Sequence, residues 1–303
     1  MFAISCENNF DPYGDYQDKY SLTCILSGNT NFQTAVILNS YPPENENGNI
    51  SERFITNADV RLWQGDSVYI MKDSIIYSET YPDGYKFYFV ENLQVQFNKA
   101  IQIEALLENG KRLKSESKTT TDFKFEDNSA VLIPPVSSDV VTFYWKGVEN
   151  GNYFQPRLRV KYSQIVNGIN KISYAELPVR YQTSNGVERP VFPSATNQQS
   201  IAYQLSAITK FLNELSGSTN KSLIAIYQKL DFDVAACDQS LSTYLSSTNS
   251  SLDNLSVSLD ENDYTNITGG FGIFGSFVSK DYTKIRFLES YIREIGYDFI
   301  NEN

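Results

Sequence analysis

Carboxylates and thiols are the first residues to weigh for chemistry in this chain: its 303 residues hold 36 Asp and Glu and three Cys, and no His. The missing histidine removes the commonest general base, the usual triad member and the commonest metal ligand together. Two carboxylates can still cleave a glycosidic bond, but their spacing is set in space, and among so many acids no pair stands out. Cys6, Cys24 and Cys237 have no C-x-x-C spacing, which argues against a zinc site built on cysteine. The run Met1-Phe2-Ala3-Ile4-Ser5-Cys6 sets small and apolar residues before a Cys, as a bacterial lipobox does. We therefore expect Cys6 to carry a lipid after cleavage of a longer leader, the other reading being an ordinary free or paired thiol. Cys24 and Cys237 are then left as a disulfide pair or as two buried thiols.

Gly270-Phe271-Gly272-Ile273-Phe274-Gly275 formally matches the dinucleotide pattern G-x-G-x-x-G. That chemistry needs a strand before the glycines and a helix after them. Here Asp263-Tyr264-Thr265-Asn266 precedes, only 28 residues follow, and bulky apolar residues fill the variable positions. The glycines read better as interruptions of a strand where backbones approach closely. Glu44-Asn45-Glu46-Asn47-Gly48 and Asp260-Glu261-Asn262-Asp263 lack the ligand spacing of an EF-hand loop, which leaves only an adventitious calcium site open. There is no G-x-S-x-G, no Walker A motif and no metalloprotease helix motif. No cofactor is expected.

The elements that must hold these residues are mostly strands. With 21 Tyr and 19 Phe the chain favours pleated, half-buried surfaces. Five Asn-Gly pairs, at 47–48, 109–110, 150–151, 167–168 and 185–186, supply tight turns. Alternation predicts strands at Tyr20–Leu26, Gln33–Ser40, Ala58–Gln64, Ser67–Met71, Lys86–Val90 and Val140–Trp145. It also predicts a hairpin from Ile101 through Asn109-Gly110 to Ser115, and one from Arg157 through Asn167-Gly168 to Val179. Arg157, Arg159 and Lys161 share one face of that second hairpin, as a solvated face or as a docking stripe for an acidic partner. Trp145 reads as a core aromatic, with exposed ligand stacking as the alternative.

From about 198 the period changes. Ile201, Leu205, Ile208, Leu212 and Leu215 trace a helical stripe ending near Gly217. A strand is predicted over Ser222–Val234, a short helix around Leu241, Tyr244 and Leu245, and a last helix from Leu288 to Gly296. The fold class is mainly β: two tandem β-sandwiches of immunoglobulin or fibronectin kind, the second with a few packed helices. The divisions are residues 1–19 as leader remnant and tether, 20–125 as the first sandwich and 126–303 as the second.

Four stretches resemble one family. Ser5-Cys6-Glu7 resembles the mature start of a Bacteroidota lipoprotein, and Thr56-Asn57-Ala58-Asp59-Val60 an early Asn-Ala-x-Val strand. Tyr153 to Tyr162, after Phe143-Tyr144-Trp145, resembles its second-domain hairpin. Asn266-Ile267-Thr268-Gly269-Gly270-Phe271-Gly272-Ile273-Phe274-Gly275 is similar to its C-terminal signature. The family is catalogued as domain of unknown function 4249, and its members look like outer-membrane lipoproteins, often encoded beside TonB-dependent receptors. The resemblance implies a structural role for Asn266, Gly269, Gly270, Gly272, Phe274 and Gly275, and it carries over no catalytic residue.

The expectation is a non-catalytic envelope protein, anchored in the outer membrane through lipid at Cys6, periplasmic or surface-exposed. Its partner would be an outer-membrane β-barrel receptor or a surface ligand. A net charge of −11 argues against nucleic acid. Two alternatives stand beside this reading: a surface adhesin or glycan-binding module using exposed aromatic rings, and a carboxylate-dependent hydrolase.

Overall fold

The computed structural model describes residues 19–39, 53–147, 153–166, 168–248 and 264–302. Cys6, the tether up to residue 18, both acidic clusters and the Asn-Gly pairs at 47–48 and 150–151 lie outside them. Seven strands come first: β1 (Tyr20–Ser27), β2 (Gln33–Asn39), β3 (Asp59–Gln64), β4 (Ser67–Ile76), β5 (Tyr85–Val90), β6 (Ala100–Leu106) and β7 (Arg112–Lys118). Then follow β8 (Lys124–Phe125), β9 (Leu132–Ile133), β10 (Val140–Lys146), β11 (Tyr153–Val166), β12 (Ile169–Glu176), β13 (Arg180–Ser184), β14 (Val187–Val191) and β15 (Ser200–Gln204). The remainder is α1 (Leu205–Leu215), β16 (Ile224–Cys237), α2 (Gln239–Thr248), β17 (Phe271–Tyr282), β18 (Arg286–Phe287), α3 (Glu289–Ile295) and β19 (Asp298–Ile300). The molecule is thus mainly β, with packed sheets. No helix among the described residues is long and apolar enough to cross a membrane.

The first sandwich folds because β4 turns a corner. Its first half, Ser67–Met71, pairs with β3, and its second half, Lys72–Ile76, pairs with β5. One layer therefore runs β1-β2-β5-β4 and the other β4-β3-β6-β7. Period-two burial sends Leu22, Cys24 and Leu26 inward from β1, Val60 and Leu62 from β3, and Ile101, Ile103 and Ala105 from β6. At about 25 cal/mol per Å² of apolar area removed from water, this shared core holds the layers together.

In the second half, β12-β11-β16-β17 forms a sheet that faces the three-stranded sheet β15-β10-β8. Aromatic rings fill the space between. Phe143 of β10 stacks on Phe232 of β16 with centroids 3.8 Å apart, and Trp145 packs on Phe154. Trp145 is 1% exposed, so it is a core residue and cannot stack on a ligand. Ile208 and Leu212 of α1 and Ile292 of α3 close the same core. Gly296, in the left-handed region at φ 103°, caps α3.

One strand joins the two parts expected at residues 20–125 and 126–303. Strand β17 belongs to both. Its first residues, Phe271 to Phe277, run parallel to β1, while Phe277 to Tyr282 run antiparallel to β16. Just before β17, Thr268 bridges Lys114 of β7, closing the first sandwich on its other side. The physical reason is the edge of β1: its N–H and C=O groups need partners, and β17 supplies them.

The Cys24–Cys237 pairing is also corrected. Both are free and buried. Cys24 lies opposite Phe274 and Cys237 opposite Phe277, on the two strands flanking β17. Two strand spacings are roughly 9.6 Å, beyond the reach of a disulfide. The thiols also face different cores. Burial pushes both thiols far above their ordinary range.

Candidate functional site

The C-terminal motif is where the chain is most tightly constrained. The side chain of Asn266 reaches over to β17 and treats Phe274 as a neighbouring strand would. Its Nδ2 donates to the Phe274 carbonyl at 2.7 Å, and the Phe274 N–H donates to Oδ1 at 2.9 Å. The Ser115 hydroxyl holds the Asn266 carbonyl at 2.7 Å. A Cβ at Gly269 would fall on the Arg112 carbonyl oxygen, and one at Gly272 on that of Leu22. Both residues have positive φ, 87° and 110°. Gly270 abuts the Tyr20 carbonyl and Gly275 abuts Leu241 of α2. The glycines let β1, β7 and α2 approach the motif, which runs on into a twelve-residue strand where a dinucleotide site would need a helix.

Beside the motif sits a buried carboxylate that the sequence reading did not single out. Asp238 caps α2: its Oδ1 accepts from the Leu241 N–H at 2.9 Å. Its Oδ2 accepts from Ser276 at 2.9 Å and from Ser117 at 3.2 Å. Burial pushes its pKa up to about 6, against the pull of these donors. Asp238 is 1% exposed, so no substrate reaches it; it knits β7, β17 and α2 together.

The row of cations on β11 is neither a bare solvated face nor a free docking stripe. Arg157 and Arg159 both meet Asp233 of β16, at 3.1 and 3.0 Å, and Lys161 meets Glu302 at 2.8 Å. These two carboxylates engage all three cations within the chain. Burial raises the pKa of Asp233 while the two guanidinium groups oppose it, and burial also raises that of Glu176 nearby.

An open groove among the described residues carries unused polar groups. It lies on the outer face of β3, β6 and β7 and has a volume of about 420 Å³, within the range of small-molecule sites. Trp63, Gln102, Glu104, Lys114, Glu116 and Thr268 line it. Register explains the arrangement. Trp63 stands opposite Gln102, which stands opposite Glu116 on the next strand. One row over, Arg61 stands opposite Glu104, and Glu104 opposite Lys114, which bridges Thr268. The inward residues of these strands pack in the core beneath the groove. Lys114 and Arg112 pair with Glu104 at 2.9 and 2.6 Å, and Lys114 first, then Arg112, holds its carboxyl below the usual range. The side chains of Trp63, Gln102 and Glu116 make no hydrogen bond or ion pair among the described residues. A second groove of about 520 Å³, beside β13–β14 and β15, has Arg180 as its one charged lining residue.

The signal for this groove was present in the alternation of β3. Val60, Leu62 and Gln64 point inward, so Trp63, out of phase with them, falls on the polar face with Asp59 and Arg61. A large aromatic on the wet face of a strand has no core to serve. Among the described residues no three Cys, Asp or Glu side chains converge to hold a metal ion.

A model of one family, described as a domain of unknown function (DUF4249), matches residues 7–283. No curated protein matches the chain.

Proposed function

We propose that this chain, which belongs to the DUF4249 family, is a non-catalytic binding protein of the bacterial cell envelope. In this reading a lipid on Cys6 holds it to the outer membrane, and the two fused sandwiches present a ligand or a β-barrel receptor with one face. The observation that carries the proposal is the groove of β3, β6 and β7. It joins a half-buried indole to side chains with unused hydrogen-bonding capacity on a three-strand platform.

The same groove speaks against a carboxylate hydrolase. A glycosidase needs one acid held protonated near neutral pH beside one that stays ionised. Glu104 is shifted the other way by Lys114 and Arg112. Of the carboxylates whose pKa does rise, Asp238 and Asp233 are sealed inside the protein, and Asp233 and Glu176 lie beside Arg157 and Arg159, away from this groove.

The test uses the protein with a full leader, expressed in a host with an outer membrane. Fractionation should find the protein in the outer membrane and should release it when Cys6 is replaced by Ala. Purification from solubilised native envelope should bring a β-barrel receptor or a surface ligand with it, and Trp63→Ala should lose that companion. A Cys6→Ala protein that stays in the membrane overturns the anchor. Glycoside turnover abolished by Glu104→Gln or Glu116→Gln overturns the non-catalytic reading.

A further inference from the structure

We propose that the groove over Trp63 is a carbohydrate site taking a neutral oligosaccharide, an inference that rests on reading the chain as a binding protein and names the ligand class. The argument is one of matching chemistry. A sugar ring has an apolar C–H face and a rim of hydroxyls that both donate and accept. Trp63 supplies the aromatic surface for the first. Val68, opposite Trp63 on β4 and 51% exposed, extends that apolar flank.

The rim is met by side chains of both kinds. Gln102 offers two donors and an acceptor, Glu116 is acceptor-only, Lys114 is donor-only and Thr268 has a hydroxyl. They stand in two adjacent cross-strand rows. Strands are about 4.8 Å apart, so the Trp63–Gln102–Glu116 row covers about 10 Å, room for an extended short oligosaccharide rather than a lone ring.

Other ligand classes fit less well. An anion would meet Glu104 and Glu116, and a cation would meet Lys114 with Arg61 and Arg112 behind it. Arg61 pairs with Asp59 at 2.6 Å, as Arg112 and Lys114 pair with Glu104, so the face is balanced in charge. Nucleic acid is opposed by the net charge of −11. An apolar peptide would leave the Gln102 amide and the Glu116 carboxylate buried without partners.

The chain carries its own reporter. It has two Trp, and Trp145 is sealed in the core at 1% exposed, so any ligand-induced change in emission belongs to Trp63. The full chain is titrated with short neutral oligosaccharides of glucose, xylose, mannose and N-acetylglucosamine, and with an acidic one of galacturonate. The expected result is a saturable blue shift with at least one neutral oligosaccharide. Trp63→Ala should weaken that binding by about tenfold or more, followed by direct calorimetry, and Gln102→Ala should weaken it several-fold. Unfolding curves of each variant confirm that the fold is retained.

The inference is overturned if no neutral oligosaccharide moves the emission, if only galacturonate does, or if Trp63→Ala binds as tightly as the parent. Its failure can be told apart from failure of the binding-protein reading. Acrylamide that quenches Trp63 in a protein blind to every sugar leaves an open groove for another ligand. A Trp63 shielded from acrylamide removes the groove itself.

Discussion

Asn266 and Phe274 form a pseudo-strand pair in which one side-chain amide replaces the backbone of a missing neighbour, through hydrogen bonds of 2.7 and 2.9 Å. Replacing Asn266 with Ala leaves the Phe274 N–H and C=O without partners. We expect a loss of about 2–3 kcal/mol from two broken bonds. Asn266→Asp keeps the acceptor but loses the donor, and should fall between the two. Urea unfolding midpoints at constant slope read the difference, and an Asn266→Ala protein as stable as the parent would refute this role.

Glycines with positive φ should separate into two groups. Gly272→Ala adds a Cβ onto the Leu22 carbonyl as well as left-handed strain, and should cost about 3 kcal/mol or more. Gly110 sits at φ 81° in the β6–β7 turn with nothing within 4 Å of a Cβ. Gly110→Ala should therefore cost only about 1–2 kcal/mol from backbone strain. Thermal melts of the two variants side by side give the comparison.

Asp238 makes stability depend on pH in an unusual direction for a carboxylate. Its pKa rises from an ordinary 3.8 to about 6 in the folded protein, burial being the main cause. The folded state therefore binds the proton more tightly than the unfolded state does. The stabilisation is complete below pH 3.8 and is lost as pH rises through about 6. The shift of about two units corresponds to about 3 kcal/mol. Asp238→Asn, which keeps the cap acceptor for Leu241, should remove this component. The difference between variant and parent stability should grow from pH 4 to pH 7; a constant difference would contradict the argument.

Cys24 and Cys237 should resist thiol reagents in the native protein and react fully after denaturation, since both are 1% exposed and neither is bonded. Adding a reductant should leave the unfolding midpoint unchanged. A mass loss of two hydrogens assigned to these two residues would contradict the fold at β17.

A fragment of residues 19–125 should not fold alone. It lacks β17, the parallel partner of β1, and the bridge from Thr268 to Lys114. Circular dichroism and hydrogen exchange should show an unprotected, aggregation-prone chain. Adding residues 264–282 in trans should raise exchange protection in β1. A protected, monomeric fragment would show that the first sandwich is independent after all.

Much of the architecture is legible from local rules. Asn185 and Gly186 both take positive φ, 53° and 75°, as a two-residue hairpin needs, and β13 and β14 flank them. Leu205, Ile208 and Leu212 form the helical face that their spacing indicates. Ile201 does not: it lies in β15 and pairs with Phe143 of β10, because strand and helix join at Gln204 without a breaking residue to mark the border. What local pattern could not supply is the partner of β1. Ser21 and Phe271 are neighbours in space through a parallel pairing that no turn connects. The groove over Trp63 was half legible: the phase of Trp63 against Leu62 was visible, but the alignment of Trp63 with Gln102 and Glu116 depends on three strands meeting in register.

Translation meets that pairing in reverse order. Ser21 is made 250 residues before its partner Phe271 (271 − 21 = 250). At about 5–20 residues per second the interval is roughly 12 to 50 seconds. Throughout it the outer edge of β1 stays open, ready to pair with the wrong chain. A protein whose closing strand emerges this late keeps its first strand waiting until synthesis is nearly complete, so its folding ends where its chain ends.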